Sequence, residues 1–436
     1  MNKFKPALAS VTALAMIVGL GACGSSNSSS DSSSADGKIT IKVQTFNNPG
    51  FGKPTSERPG ADLWAKYEKA HPNVKIEETA AASSDDARAA FNTAISTGSN
   101  AYDVYVAEVD WMPSLLAMPD KFVDLSSYTK DNDWVAWKSE SATVDGKLIG
   151  AGTDIGPEGI CYRADLLEKA GFPSDRESVA EWLGGDDATW DSFFKAGKEY
   201  TEKTGLPWHD SMASNWQSMI NQVEESYGSK DDKIIAADNA KIKNLYDQLT
   251  ATKDMSAHLT QWSDDWNAAF KSDTGFATIQ CPAWLINNIK GNTGEDFQGW
   301  DIADVFPGGG GNWGGSYLVV PESSPVKDEA AKLVAWLTEA DQQVSVFTTA
   351  NNYPSSEGAQ ASSDVSSKTD AYLNDAPTGK IFANRAKAYD IVPYKGSQYF
   401  DIQTKMVDAL NRVDATQEQT PDQAWKQWLE DVKALS

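Results

Sequence analysis

The sequence is poor in the two residue types that most often bind transition metals. It has only three cysteines among 436 residues and only three histidines, which are His71, His209 and His258. The histidines lie far apart, and none has a cysteine or a second histidine at the spacing of a zinc site. We therefore expect neither a metal ion nor another cofactor.

The sequence is also short of positive charge. It contains 38 lysines and arginines against 62 aspartates and glutamates, which gives a formal charge of −24. Removal of residues 1–22, which carry two lysines and no acid, would take this charge to −26. An acidic surface of this size repels phosphate backbones and anionic lipid headgroups. This excludes a nucleic-acid-binding protein.

The sequence lacks a hydrophobic run long enough to cross a bilayer comfortably, for which about 20 apolar residues are needed. Its apolar stretch from Ala7 to Leu20 follows Lys3 and Lys5 and ends in Leu20-Gly21-Ala22-Cys23. A basic flank, a short apolar run and a small-residue exit are typical of an export signal. This one resembles a bacterial lipoprotein signal peptide, in which the cysteine thiol accepts diacylglycerol and then becomes the mature N-terminus.

We therefore predict that residues 1–22 are removed and that a lipidated Cys23 anchors the protein on the outer face of the cell membrane. Two acyl chains together make a stable anchor, whereas one holds only marginally. The alternative is that Cys23 is an ordinary cysteine in a discarded leader. Residues 23–37 would form a flexible serine-rich tether, because they lack the apolar surface needed for folding.

Two further cysteines, Cys161 and Cys281, lie in the body of the chain. An even pair in an oxidising compartment allows one disulfide. A bridge requires the two Cα atoms to lie within reach of each other, which sequence does not reveal. Two buried free thiols therefore remain the alternative.

The folded body begins with strands that alternate with helices. Lys38–Phe46 alternates polar and apolar residues like a half-buried strand, and Val74–Glu78 and Tyr102–Val106 are further strand candidates. Helices are predicted between them, from Pro59 to His71 and from Asp85 to Thr97. Strands separated by helices of about ten residues predict a βαβ arrangement and a largely parallel sheet.

The pattern changes near residue 150. The Asp145-Gly146 pair predicts a tight hairpin within residues 143–149, and residues 152–157 follow as a crossover. Residues 308–315 have the sequence GGGGNWGG, which permits unusual backbone angles and close approach. The remaining predicted elements are a strand over Ser316–Val320 and helices over Asp165–Ala170, Thr189–Thr204, Ala330–Phe347, Asp401–Leu410 and Pro421–Leu435.

Several landmarks occur in the same order as in one known family. They are Asp120–Leu125 (DKFVDL), Val144–Gly150 (VDGKLIG), Gly159–Gly171 with its GICYRADL start, Gln280–Trp284 (QCPAW), Trp300–Ile302 (WDI), Phe306–Gly309 (FPGG) and Asn312–Gly315 (NWGG). With these residues the chain resembles the bacterial extracellular solute-binding proteins of ABC sugar importers, in the group that includes maltose-type and cellobiose-type binders of actinobacteria.

The resemblance implies an α/β fold of two lobes, each with a mixed, mostly parallel sheet flanked by helices and joined to the other by hinge segments. With about 400 residues after the tether, two lobes also fit the size of ordinary hydrophobic cores. We place lobe 1 at residues 38–152 plus 314–350 and lobe 2 at residues 153–313 plus 351–436. The resemblance further implies an oligosaccharide ligand, the transmembrane subunits of an ABC permease as partner, and a monomer.

Aromatic candidates for a sugar site come first, because pyranose rings present flat C–H patches that aromatic faces cover. Trp284 follows Cys281-Pro282-Ala283, and Trp313 lies in the glycine-rich segment. The resemblance implies that both face the cleft between the lobes. Trp216 is a third candidate. Each could instead be ordinary hydrophobic packing, as most of the sixteen tryptophans should be.

Polar candidates lie at the carboxyl ends of strands and at the crossings, since sheets of this class bind ligands there. They are Asn47 and Asn48 after the first strand, Glu108 with Asp110 and Trp111 after Val106, Asp154 at the first crossing, and Asn352 and Tyr353 at a later one. Turn formation is the alternative for the asparagine pair, and hinge stabilisation is the alternative for Asp154. Arg385 and Lys395 are further candidates, although single cations usually lie on solvated faces.

The function predicted is reversible capture of an oligosaccharide by lobe closure, without catalysis. A secreted glycosidase with two carboxylates is one alternative, and a receptor for another solute such as a peptide is the other. The sequence contains no nucleophile elbow, phosphate-binding loop or dinucleotide fingerprint. Its acidic residues therefore fit a soluble surface and hydroxyl recognition better than catalysis.

Overall fold

The computed structural model describes residues 37–55 and 58–435 of the chain. The predicted signal peptide, the lipidation site at Cys23 and the tether up to residue 36 lie outside these residues. The strands are β1 (Ile39–Phe46), β2 (Val74–Ala81), β3 (Val104–Glu108), β4 (Thr143–Val144), β5 (Lys147–Leu148), β6 (Ala151–Gly152), β7 (Glu158–Arg163), β8 (Thr278–Pro282), β9 (Trp300–Ala303) and β10 (Ser316–Val319).

The α-helices outnumber the strands. They are α1 (Leu63–Ala70), α2 (Ser84–Thr97), α3 (Met112–Leu116), α4 (Ala136–Glu140), α5 (Ala164–Ala170), α6 (Arg176–Leu183), α7 (Trp190–Thr204), α8 (Met212–Ile220), α9 (Ala240–Thr250), α10 (Asp264–Ala269), α11 (Leu285–Thr293), α12 (Lys327–Leu337), α13 (Ala340–Ala350), α14 (Glu357–Ala361), α15 (Ser363–Ser366), α16 (Thr378–Ala388), α17 (Tyr399–Val413) and α18 (Pro421–Lys433). Short 3₁₀ turns lie at Val109–Trp111, Pro119–Lys121, Gly185–Asp187, Lys253–Met255 and Ala371–Leu373. Within the described residues, no helix combines the length and apolarity that crossing a membrane requires.

Sheet I has the strand order β2-β1-β3-β10-β6. Strand β1 pairs in parallel with β2 and β3, as the alternation of strands and helices predicts. Strand β10 arrives from much later in the sequence and pairs antiparallel with β3 and β6. We call the part of the molecule built on this sheet the first half.

Sheet II has the order β8-β7-β9, and both of its strand pairs are antiparallel. The prediction of a mostly parallel sheet in each lobe is therefore wrong for this one. Its central strand β7 is entered directly from β6, and its neighbours β8 and β9 are supplied by later returns of the chain. No βαβ unit forms it, so the pattern at the start of the chain does not extend here. We call the part built on this sheet the second half.

Local sequence signals account for several element boundaries. Ser83 accepts a hydrogen bond from the Asp86 amide at the start of α2, and Gly98 ends that helix with a φ of 67°. Asp145 and Gly146 have φ angles of 50° and 77°, as expected for the hairpin turn between β4 and β5. The helices predicted near residues 165, 189, 401 and 421 are present as α5, α7, α17 and α18.

Two helix predictions are wrong, one at its start and one because the helix is interrupted. The helix predicted from Pro59 begins only at Leu63, because the chain is in the left-handed region at Asp62, with a φ of 54°. The single helix predicted from Ala330 to Phe347 is two helices, α12 and α13. They are separated at Thr338, whose hydroxyl bonds back to the carbonyl of Val334 and whose own carbonyl accepts from the Trp134 indole.

Three groups of buried side chains form the core. One group covers sheet I and includes residues of β1, β3, β10 and α12. The other two lie on opposite faces of sheet II, because Ile160 and Tyr162 of β7 belong to one and Cys161 to the other. This arrangement agrees with two sheet-centred halves, while the lobe boundaries given above stay a prediction.

Three segments of chain cross between the halves, at residues 153–157, 304–315 and 351–356. They are hydrogen-bonded to one another: the amide of Ile155 donates to the carbonyl of Tyr353 at 2.8 Å, and the amide of Trp313 donates to the carbonyl of Gly156 at 2.8 Å. A Cβ added to Gly156 would lie 1.9 Å from the Trp313 carbonyl oxygen. Only glycine allows these crossings to approach so closely.

Candidate functional site

We call the zone where the two halves meet around the three crossings the junction. Asp154 lies in the first crossing, where its Oδ1 accepts hydrogen bonds from the Ser316 amide at 2.9 Å and the Thr153 hydroxyl at 2.6 Å. Thr153 belongs to the first crossing, and Ser316 begins β10 directly after the second. The contacts of Asp154 are therefore those of a hinge residue. Burial raises the pKa of its carboxyl group, and the positive charge of Lys138 opposes that rise.

The asparagines predicted for the site join the two halves at one edge of the junction. Asn48 accepts from the Gly50 amide and donates to the Pro59 carbonyl, so it holds the turn after β1. The side chain of Asn352 donates to the Asn48 carbonyl at 3.0 Å. Asn47 is exposed. The cavity beside Asn352 and Asp154 is about 10 Å³, which is room for one water molecule and not for a sugar.

Two predicted aromatic residues lie in the core of the second half. Trp216 is fully buried, and its indole nitrogen donates to the Tyr227 hydroxyl at 2.9 Å and to Gln403 at 3.2 Å. Tyr353 is fully buried with its ring against Phe347 and Phe382. Both are corrections to the predicted site, because neither ring has a face turned to a cleft. Tyr353 contributes its backbone carbonyl to the hinge instead.

Glu108 and Asp110 follow β3 and face the second half. Asp110 is buried and forms an ion pair with Lys395, while the Gln217 side chain donates to its other oxygen at 3.3 Å. Both partners come from the second half, so this carboxylate ties the halves together. The Glu108 carboxylate caps the following turn by accepting from the Asp110 amide at 2.7 Å. Burial and the Asp110 charge raise the pKa of Glu108 to about 8.

Two charged residues that the sequence analysis missed are buried near the crossings without full hydrogen bonding. The ammonium group of Lys138 has no hydrogen-bond partner and lies 3.9 Å from the centre of the Tyr317 ring. Glu158, at the start of β7, accepts from the Ser218 hydroxyl with one oxygen and leaves Oε2 without a partner. Burial lowers the pKa of Lys138 to about 8 and raises that of Glu158 to about 8.

Unpartnered buried charges of this kind are costly unless a ligand completes their hydrogen bonds. A sequence signal existed for Glu158, since it stands directly before the mostly apolar residues 159–162 of β7. Lys138 gave none, because its helix α4 looks like an exposed segment. Hydrophobic residues make up 40% of the whole chain, so a single charged residue next to an apolar segment does not stand out in the sequence.

Partly exposed aromatic rings lie beside these charges. Trp284 immediately precedes α11, and its indole donates to the Trp313 carbonyl at 3.0 Å, with the two rings 5.3 Å apart and nearly perpendicular at 81°. Across the junction, Trp137 of α4 meets Tyr389 edge to face at 5.6 Å. Trp284 and Trp313 thus contact each other, and their role in a sugar site stays a prediction, while Trp137 and Tyr389 were not among the predicted residues.

The glycine-rich crossing is braced from the second half. The Arg385 guanidinium donates to the Gly309 carbonyl at 3.0 Å and pairs with Asp304 at 2.8 Å. Arg385 therefore contacts the protein's own backbone, whereas Lys395 reaches across the junction. Cys161 and Cys281, on adjacent strands β7 and β8, form a disulfide with a Cα–Cα distance of 5.4 Å. This resolves the alternatives that the sequence left open.

No cluster of three or more histidine, cysteine, aspartate or glutamate side chains in residues 37–55 and 58–435 is placed to hold a metal ion. The junction instead offers aromatic faces, carboxylates, amides and a cation. Such a set suits an uncharged ligand with many hydroxyl groups. The two junction carboxyl groups with raised pKa values, Glu108 and Glu158, can exchange hydrogen bonds with such hydroxyls, as donors when protonated and as acceptors when ionised.

Comparisons with solved structures agree with this arrangement. The chain is similar to a crystal structure of an extracellular solute-binding protein of family 1, with 42% identity, a TM-score of 0.80, and coverage of 91% of this chain and 99% of that one. It also shares its fold with an ABC-transporter-associated binding protein from B. animalis subsp. lactis Bl-04, solved in complex with β-1,6-galactobiose, at 18% identity and a TM-score of 0.72, covering 90% and 96% of the two chains.

Sequence comparisons point the same way. The chain is 30% identical over 231 residues to a lactose-binding protein of Rhizobium radiobacter, which is 50% of each chain. The chain spans about half the length of the curated relatives it matches. A family profile described as bacterial extracellular solute-binding protein matches residues 62–372. The chain belongs to this family, and it is accordingly a solute-binding protein and not an enzyme.

Proposed function

We propose that this protein is the oligosaccharide receptor of an ABC importer and that it captures its sugar in the junction between the two halves. The observation that carries the proposal is the pair of partly exposed tryptophans, Trp284 and Trp313, at the glycine-rich crossing. Because the two rings are nearly perpendicular, they can stack on the C–H faces of two sugar rings in a folded or branched oligosaccharide. Peptide ligands, the other solute class considered, have no such repeating flat faces.

The unpartnered buried groups support a polyhydroxyl ligand. Glu158 Oε2 can donate to a sugar hydroxyl when the carboxyl group is protonated and accept from one when it is ionised, and the Lys138 ammonium can donate to one. In the unliganded protein, burial of Glu158 Oε2 and of the Lys138 ammonium is unfavourable because neither has a hydrogen-bond partner. A bound sugar would supply the missing partners. Binding energy thus comes from completing bonds that the protein itself leaves open, in addition to ring stacking.

The names of similar proteins suggest a β-galactoside. One relative binds lactose and a protein of the same fold was solved with β-1,6-galactobiose. We extend this ligand class to the present chain as part of the proposal. The narrower resemblance to cellobiose-type and maltose-type binders of actinobacteria belongs to the proposal as well.

Capture proceeds by closure of the halves on the sugar. A ligand that contacts both halves shifts the population to the closed form by its higher affinity for that form. Asp110 from the first half and Lys395 from the second form an ion pair across the junction. Their ion pair stabilises closure around whatever the junction encloses.

Delivery requires a position beside the permease. In this proposal the mature protein is a monomer held by a diacylglyceryl group, and a palmitate chain, on Cys23, at the outer face of the cell membrane. The serine-rich tether, residues 23–37, lets the folded body reach the transmembrane subunits of the importer. Mass spectrometry of the mature N-terminus tests the anchor directly.

Isothermal titration calorimetry with lactose and β-1,6-galactobiose tests the proposed function. We expect stoichiometric heat with no sugar cleavage, and a loss of affinity of about tenfold or more in Trp284→Ala and in Trp313→Ala. Trp182→Ala is the matched control, since Trp182 is a partly exposed tryptophan stacked on Phe172 and bonded to Glu199 instead of the junction. Unchanged affinity in both junction variants would rule out the stacking role.

A further inference from the structure

Trp262 is exposed in a way that the fold does not explain. It is 49% exposed, more than the other exposed large apolar side chains of the described residues, which are Met118, Ile391 and Val392. It lies in the turn before α10, outside the three buried groups of the core. A single exposed apolar side chain is common, whereas contiguous exposed apolar surface marks a binding site, so the neighbours of this ring decide its role.

The backbone at Trp262 adds a second unfavourable feature. Its φ angle is 69°, in the left-handed region that a bulky side chain rarely adopts. The turn is fixed on its C-terminal side, because the Ser263 hydroxyl caps α10 and the buried Trp266 donates its indole hydrogen to Asp210 at 2.7 Å. Backbone held in an unfavourable region by a rigid surrounding is typical of functional positions.

The ring of Trp262 continues the aromatic surface of the junction. Its centroid is 6.3 Å from that of Trp284, and the two planes are nearly parallel at 27°. On its other side it contacts Trp266 at 4.8 Å. Since Trp284 in turn meets Trp313 at 5.3 Å and 81°, the three exposed or partly exposed rings form a continuous series of contacts, which we call the row, with Trp262 nearly parallel to Trp284 and Trp313 nearly perpendicular to it.

We propose that Trp262 is an outer binding platform that stacks on the sugar rings beyond those held by Trp284 and Trp313, so that this residue makes the receptor selective for longer oligosaccharides. The inference rests on the proposed function of the junction. A disaccharide fills the inner part of the row, whereas a chain of three or more rings reaches Trp262. The same residue therefore contributes to the affinity for long ligands and not for short ones.

The other possible occupants of this ring are a second copy of the chain and a protein partner. Neither explains the near-parallel alignment with Trp284, because a protein interface requires only that apolar area be covered. A ring that lies nearly parallel to Trp284, at 27°, fits a ligand whose flat faces repeat along one direction. The geometry thus favours the end of the same sugar chain.

Calorimetry of a length series tests this role, with lactose as the two-ring ligand and linear β-galacto-oligosaccharides of three and four rings as the longer ones. The full mature chain is used as wild type, Trp262→Ala, Trp262→Tyr and the control Met118→Ala. We expect Trp262→Ala to lose about tenfold in affinity for the longer ligands and less than about twofold for lactose. Trp262→Tyr, which keeps a ring, should restore most of the loss.

The outcomes separate this inference from the proposed function. If wild type binds none of the sugars, the proposed function fails and this inference fails with it. If wild type binds them and Trp262→Ala loses equally for all lengths, or for none, the inference alone is overturned. Size-exclusion chromatography is run in parallel: a variant that changes oligomeric state while its sugar affinities stay constant would assign the ring to self-association and overturn the inference too.

Discussion

The two halves bring different chemistry to the junction. The first half contributes a carboxylate pair and a buried lysine, in Glu108, Asp110 and Lys138, whereas the second half contributes most of the aromatic surface and the disulfide. Ring stacking operates in an open protein, while buried charges interact strongly only when water is excluded. We infer that the second half makes the first contact with a sugar and that the first half responds when the junction closes.

Of the changes considered, loss of the disulfide in the second half should have the largest effect on stability. The Cys161–Cys281 bridge closes a loop of 120 residues within the second half. Cys281→Ser should lower the free energy of unfolding by about 4 kcal/mol, because the unfolded chain regains the entropy of that loop. Denaturant unfolding with and without a reducing agent measures it. Equal stability of the variant and the wild type would mean that the bridge does not constrain the unfolded state.

Removal of one member of the ion pair across the junction should have the next largest effect. Lys395→Met leaves the buried Asp110 carboxylate with Gln217 as its remaining partner across the junction, which costs the closed arrangement about 3 kcal/mol. Small-angle scattering of the unliganded protein should then show a larger radius of gyration. The double variant Asp110→Asn, Lys395→Met removes both charges and should recover a compact form. A compact single variant would contradict this account of closure.

Glu108 in the first half and Glu158 in the second half both have raised pKa values, so the pH dependence of stability can be compared between the two halves. For Glu108 and Glu158 the folded pKa is about 8 against an ordinary 4.5, so between these values the folded state binds more protons than the unfolded one. Stability should therefore fall as pH rises through this range, by on the order of 2 kcal/mol for the fully buried Glu158 from about pH 5 to about pH 8.

Thermal unfolding of Glu158→Gln and Glu108→Gln as a function of pH measures each contribution. Each variant should show a flatter profile than wild type, and Glu158→Gln should be the flatter of the two. The lowered pKa of Lys138 makes stability rise again above about pH 8, so the comparison is made below that value. Profiles parallel to wild type in both variants would show that neither carboxyl group holds a proton in the folded protein.

Sequence patterns predicted the first half better than the second. The strands β1, β2 and β3 and the helix α2 follow from short-range periodicity and capping, because each pairs with a neighbour close in the sequence. The antiparallel sheet II was missed, since β8 joins β7 after more than a hundred residues of helices and loops. Periodicity describes how a segment is buried and does not identify its partner.

For the candidate site, too, the sequence was informative where the signal was local and failed where it depended on distant residues. Trp284 and Trp313 were proposed because each sits at an unusual local sequence, close to a proline or among glycines. Trp216 has no such neighbours and is core, because its surroundings come from Tyr227 and from Gln403 of a distant helix. Lys138 was missed for the complementary reason: a lysine in a short, mostly polar helix is buried by residues distant in the sequence, among them Tyr317 of β10.

The position of β10 has a consequence for synthesis of the chain. This strand lies between β3 and β6 in sheet I, yet more than 160 residues separate it from β6 in the sequence. While the ribosome is still making those residues, sheet I lacks its fourth strand, and the edges of β3 and β6 have no partner. The sheet is complete only once the chain has been made as far as Val319, so the first half remains incompletely folded over most of translation.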